Sequence, residues 1–520
     1  MRHLSCVLLV LVVLAGGLIG PSAVAQADPG VTAAINLLKD ATKPQRDASH
    51  NVMLIGLRQL EDPALLPLFQ ALSGSPYLSM RVHGRLGVAA LSPQRRIDLT
   101  ALAEIDDQRE LVQVLSAAID DDLIDNKGMA TLLTWNGLDL PLRQAIALRL
   151  LAAGGEVDTA PFRESLQIEI SDDINAAKLL QYALAALLLA ETGDEAGRAA
   201  LDKLSTLEAD NAEAVIAQIL DAAMRQGFAS AGSFAITVAN DPDRSPSLQL
   251  LAIQAALRLN EPSSAKRWQA MFKGQTDTAQ RIRLAMIGLD ASEQVKPELF
   301  DTLANQGEWI DAIAKAGRAI SIQNKNLATV FDPLVATGQP LSVQWVVTYC
   351  QRDTPAQGPD LLELVIQHHN AAPPHHRGRI TQTAIDATTA LCELYPKEAN
   401  ERLAKRLDVK QVRPNGIADD GLYLLRRQIM LMGIARARSK ALSPLAKAIE
   451  SDTENDFTTD ALRLFIRARH AASLTDKEWD RISDIVQGVG QLDASMRLQL
   501  GWAYLKHKGQ AAPAITQALR

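Results

Sequence analysis

Four histidines, His368, His369, His375 and His376, fall within nine residues in the segment QHHNAAPPHHR. Imidazole is the commonest protein metal ligand, and a Pro373-Pro374 turn could fold one pair against the other. Adjacent histidines on a regular element point in different directions, however, and no nearby carboxylate or cysteine completes a metal-binding spacing. The competing reading is a helix C-terminus, where the dipole favours imidazolium, followed by a solvated loop. These histidines stay weak candidates, and no metal or other cofactor is assigned.

Basic residues make a second pattern. Arg436, Arg438 and Lys440 recur about one repeat later as Arg467, Arg469 and His470, and again as Lys506 and Lys508. If equivalent positions of stacked repeats line up, these side chains form a ridge that a carboxylate-rich or phosphorylated protein partner could use. Each cluster also sits where a helix should end, so complementing the helix dipole is the plainer explanation.

Catalytic signatures are lacking. The chain has no H-E-x-x-H, no G-x-S-x-G and no phosphate-binding loop. Ser263-Ser264-Ala265-Lys266 contains S-x-x-K without its companion motifs, and Ser263 is expected to cap a helix after Pro262. SDTENDFTTD (451–460) has the first acids of a calcium loop, but Phe457 stands at the turn position and Arg463 at the terminal ligand position. No catalytic residue is assigned.

The elements that would position these residues come from one repeating unit. Ala/Leu-rich segments such as RQAIALRLLAAGGEV (143–157), YALAALLLAETGDEAGRAALDKL (182–204) and AIQAALRLNEPSSAKRW (252–268) each end at a polar or Gly/Pro break. Their apolar residues recur at i, i+3, i+4 and i+7, the helical period. Helix ends from Leu60 to Lys506 return about every 34 residues. A helix pair of that size cannot bury its apolar face alone, so neighbours must stack. The expected fold is all-α, a solenoid of antiparallel helix pairs.

LEDPALLPL (60–68) and LRQAIAL (142–148) resemble HEAT repeats, whereas GWAYL (501–505) before Gly509 and the segment Gly307 to Ile320 are similar to tetratricopeptide repeats. Both families imply a paired-helix superhelix, and neither implies a chemistry. On that register Cys350 and Cys392 occupy matching places in consecutive units, about 8–10 Å apart. A disulfide needs Cα atoms within about 7 Å, so both are expected to be buried free thiols. Irregular stretches at 351–380 and 407–421 suggest a division into residues 26–350 and 351–520.

The N-terminus carries Arg2, an apolar run from Val7 and the small-residue site Ala23-Val24-Ala25. This pattern predicts an export signal over residues 1–25. The run is shorter than the roughly 20 residues that span a bilayer, so no membrane span is expected after cleavage. Acids exceed bases by 60 to 53, giving a net charge of −7, which argues against nucleic acid as a partner. The sequence thus reads as a periplasmic or secreted scaffold or adaptor that binds other proteins and catalyses nothing. The alternative is a polysaccharide- or peptidoglycan-active envelope enzyme whose carboxylates converge only in the fold.

Overall fold

The computed structural model describes residues 49–508 except 172, 209–210, 370–375, 408–420, 450–456, 471–473 and 488–491, together with 32, 35 and 36. The predicted export signal, His375 and the acidic segment up to Asp456 lie outside the described residues. Among those residues the chain is all-helical and has no strand, and its helices pack in neighbouring pairs. It divides into two compact units, one from the segments up to Ile97 and from Leu474 onward, the other from Asp98–Ser473. The sequence-derived boundary at 350/351 falls inside the second unit.

The first unit joins both ends of the chain. Helices α1 (Ser49–Gln59), α2 (Leu66–Ser73) and α3 (Leu78–Leu91) pack with α25 (Asp476–Gln487) and α26 (Ala494–Lys508). Asp62 caps the 3-10 turn before α2, accepting from Ala64 N at 3.0 Å. Its other oxygen accepts from Trp502 Nε1 at 2.9 Å and Lys506 Nζ at 2.8 Å on α26. Burial pushes this carboxyl upward, but those three hydrogen bonds and the Lys506 charge outweigh it and hold it below its usual range.

The second unit begins with α4 (Leu99–Ala103), α5 (Gln108–Asp120), α6 (Asn126–Leu133), α7 (Leu140–Ala152) and α8 (Ala160–Arg163). The regular stack then follows: α9 (Ala176–Glu191), α10 (Glu195–Ser205), α11 (Ala212–Gln226), α12 (Gly232–Asn240), α13 (Pro246–Arg258), α14 (Ser264–Gly274) and α15 (Thr278–Asp290). After a 3-10 segment at Pro297–Leu303 come α16 (Glu308–Ser321), α17 (Leu327–Ala336), α18 (Pro340–Asp353), α19 (Gly358–Gln367), α20 (Arg377–Leu394) and α21 (Pro396–Leu407). The unit closes with α22 (Gly421–Arg436), α23 (Ser443–Ala448) and α24 (Phe457–His470).

Two layers result. Helices α7, α9, α11, α13 and α15 pack each on the next, and so do α18, α20, α22 and α24. Their partners α10 and α12, α17 and α19, and α21 and α23 form contacts of a second layer. Where the sequence suggested irregular chain over 351–380, α19 and the start of α20 are present. Helices α9, α11, α13, α15, α16, α18 and α20 start 30 to 37 residues apart, close to the expected spacing.

Local chemistry explains the boundaries. Aspartates 98, 107, 125, 139, 194 and 277 each accept a hydrogen bond from backbone N–H groups in the first turn of the helix that follows. These groups have no partner inside the helix, which is why Asp is favoured there. Much of the acidic excess is therefore spent on capping. Ser263 departs from its expected capping role: it already has helical φ/ψ, and its hydroxyl turns to Glu261 Oε1 at 3.4 Å.

Inside the stack α9 has almost no polar face. Leu179, Tyr182, Ala183 and every residue from Ala185 to Ala190 are buried, as expected of a helix covered on all sides. It meets α10 at Gly197, where a Cβ would lie 2.6 Å from Leu189 Cβ and overlap the Ala190 backbone. Gly197→Ala should therefore force the pair apart and cost about 1–3 kcal/mol, read as a lower urea midpoint at unchanged slope. In the first unit, Asp62→Asn should cost about 1–2 kcal/mol at pH 7. A depressed folded pKa stabilises above the ordinary carboxylate value and is lost as pH falls through it. The gap between Asp62→Asn and wild type in urea unfolding should thus close below about pH 4.

Candidate functional site

The densest polar arrangement lies where the C-terminal ends of α13, α15 and α18 meet. Asp290, the last residue of α15, is buried at 9% exposure. One of its oxygens accepts from Gln254 Nε2 at 2.9 Å and from the Arg258 guanidinium at 3.4 Å, both on α13. The other accepts from the Arg352 guanidinium at 2.7 Å and Trp345 Nε1 at 3.2 Å, both on α18. One carboxylate thus ties together three helices whose residues stand 32 to 62 positions away in sequence.

Burial favours the neutral acid at Asp290, yet the Gln254 hydrogen bond and the Arg258 and Arg352 charges reverse this and keep its pKa low. Arg352 also forks onto Asp353, with Nε to the two carboxylate oxygens at 2.9 and 2.8 Å. Glu293, in the turn after α15, is displaced the other way: loss of hydration and the neighbouring Asp353 charge raise it against the pull of Arg352 and Arg258. An apolar wall borders the network. Trp345 stacks on Tyr349 with centroids 5.2 Å apart and on Phe331 at 6.1 Å.

Three positions apart in sequence, Asp290 is held ionised and Glu293 is shifted toward its neutral form. Such a split is the electrostatic pattern of an acid and base pair. It is also what an inter-helix brace produces, and Asp290, with its four donors, leaves little accepting capacity for a substrate.

The basic residues singled out from the sequence fall in both units and differ in exposure. Arg436 is exposed, 3.9 Å from Asp386, and Arg438 is exposed with its backbone N–H bonded to Glu393. Lys440 opens a 3-10 turn, and its side chain lies outside the described set. Arg467 is 2% exposed, turned into the stack on a helix buried almost all round, so it presents no surface to a partner. Arg469 reaches back to Ala435 O at 3.2 Å. His470 is half-buried, and lost hydration with the adjacent Arg469 charge pushes it down to about 4. Lys506 belongs to the first unit, where it binds Asp62, and Lys508 ends α26. Arg436 and Arg438 are the exposed arginines of the set.

The histidines diverge as well. His368 caps the end of α19 with Nε2 2.9 Å from Asp332. His369 is fully buried, and burial lowers its pKa; its Nδ1 meets Ile366 O at 3.1 Å. His376 precedes α20. No cluster of metal-ligating groups occurs among the described residues. Cys350 and Cys392 are free and buried, with thiols pushed up to about 12 by lost hydration, so neither is poised as a nucleophile.

Sequence reasoning passed over Asp290, Arg258, Arg352 and Glu293. Their signal was present at the helix ends, where Arg258, Asp290 and Arg352 stand at or next to the last residues of α13, α15 and α18. Removing Asp290 leaves two half-buried guanidiniums without their shared counter-charge. Asp290→Ala should cost about 3–5 kcal/mol in urea unfolding, and a loss under 1 kcal/mol would show that the network braces nothing. Comparison of the chain with protein families, with curated proteins and with solved structures finds no match.

Proposed function

We propose that this protein is an exported, non-catalytic helical-repeat scaffold that captures protein partners in the periplasm or cell envelope. The observation that carries this reading is where the polar groups are spent. Asp290, Glu363 and Asp194 are all held ionised by arginines from another helix pair, namely Arg258 and Arg352, Arg402 and Arg406, and Arg163. Burial raises Glu363, but its two arginines bring it down. These charges fasten one pair to the next and leave a stacked surface for recognition. Export rests on the N-terminal pattern, and an acidic partner on the exposed Arg436 and Arg438.

A second reading, an envelope polysaccharide- or peptidoglycan-active enzyme, is favoured by one observation: the opposed displacement of Glu293 and Asp290. On this reading Glu293 would be the proton donor, and Glu293→Gln would abolish glycan cleavage while leaving folding intact.

The deciding experiment is affinity capture with the mature chain from its own envelope extract at low and moderate salt. A scaffold should hold a partner near one to one and release it as salt rises. Arg436→Glu with Arg438→Glu should remove that partner at unchanged helicity. Capture undiminished in the double variant would discard this contact, and an empty capture with glycan cleavage dependent on Glu293 would move the assignment to the enzyme.

A further inference from the structure

We propose that the second unit also binds a small oxyanion, a phosphate or carboxylate group, in the cavity between α14, α15 and the 3-10 segment Pro297–Leu303. This site is independent of the partner surface above. The cavity measures about 520 Å³ and is lined by Phe272, Lys273, Arg281, Asp301, Thr302 and Gln306.

Its charge is set by what is already paired. Asp301 carries the wall's negative charge, and Arg318 neutralises it at 2.6 Å. Lys273 and Arg281 form no ion pair with any described residue. The wall therefore holds two uncompensated cations in a chain whose net charge is −7, so attraction of an anion here is local and not a property of the whole surface.

The cations are also oriented. The Arg281 guanidinium lies over the Phe272 ring, 5.0 Å from its centroid, and donates to Gln306 Oε1. Phe272 is in turn stacked on the fully buried Trp268, 5.7 Å away, and the Trp268 indole N–H bonds Leu284 O at 2.8 Å. Arg281 is thus held in plane by an aromatic stack anchored in the core. Gln306 takes a donor on Nη2, and Nη1 makes no hydrogen bond to a described residue, so that side of the fork remains for a ligand. Thr302 Oγ1 accepts from Gln269 Nε2 at 3.1 Å, which leaves its own proton to donate. A planar fork, an ammonium and a hydroxyl around one cavity form the donor set that matches a multi-oxygen anion.

The volume exceeds that of the anionic group alone, so the site would read one terminal phosphate or carboxylate of a larger molecule. Two probes separate these sources. Full-length protein would be titrated calorimetrically with inorganic phosphate and, separately, with acetate, at ionic strength held constant by chloride. Saturable one-to-one binding of either probe is expected, and the tighter probe identifies the group.

Arg281→Lys keeps the charge and loses the fork, and should weaken binding roughly tenfold. Gln306→Glu places a carboxylate in the cavity and should abolish binding with the circular dichroism unchanged. If Gln306→Glu disturbs the fold, Lys273→Ala, at an exposed helix end, supplies the loss of binding in its place. No saturable binding of either anion, or binding equal to wild type in Arg281→Lys and Lys273→Ala, would overturn the proposal.

Discussion

A helix pair with a single apolar face has nowhere to hide it except against another pair, and this constraint organises the molecule. It explains why α9 can be apolar around most of its circumference and why the helices return at near-constant spacing. It also explains why glycines sit where helices cross. Gly197, and Gly84 of α3 against the end of α2, let backbones approach where any side chain would hold them apart. Apolar burial is non-directional, however. It can hold successive pairs together without fixing how far each slides or turns on the last.

Direction comes from the ionic contacts between pairs. Asp290 accepts from donors on two other helices, and Glu363 of α19 receives Arg402 and Arg406 of α21. A half-buried carboxylate with a forked guanidinium tolerates only a narrow range of geometries, so each bond fixes register as well as adding energy. Replacing such groups with well-packed apolar ones often costs little stability. Their value in a stack of similar pairs is specificity, because similar apolar faces would otherwise pair in several ways.

The sequence made the fold legible and the site largely illegible, and the reason is the same in both cases. Periodicity is a local property: 3.6-residue spacing, an Asp before several helices and a break every thirty-odd residues can be read along the chain. Asp290, Arg258 and Arg352 are ordinary helix-end residues until three units are superposed, and a burial-driven shift such as that of Glu293 belongs to the packing. Arg467 departs from the basic pattern for a related reason. Arg467 shares its spacing with surface residues, but α24 is buried on nearly every side, so the periodicity that predicted exposure delivered it into the core.

The proposed anion site at Arg281 is built from neighbours in the helical stack. Trp268, Phe272 and Arg281 lie on adjoining helices of one pair, while Thr302 and Gln306 come from the next segment, so the donors meet only because two neighbours stack. A ligand there touches both sides of a junction between units. Anything that binds the stacked form and not the separated one stabilises the junction by mass action. For the proposed site, ligand occupancy and the alignment of those two neighbours would therefore be linked.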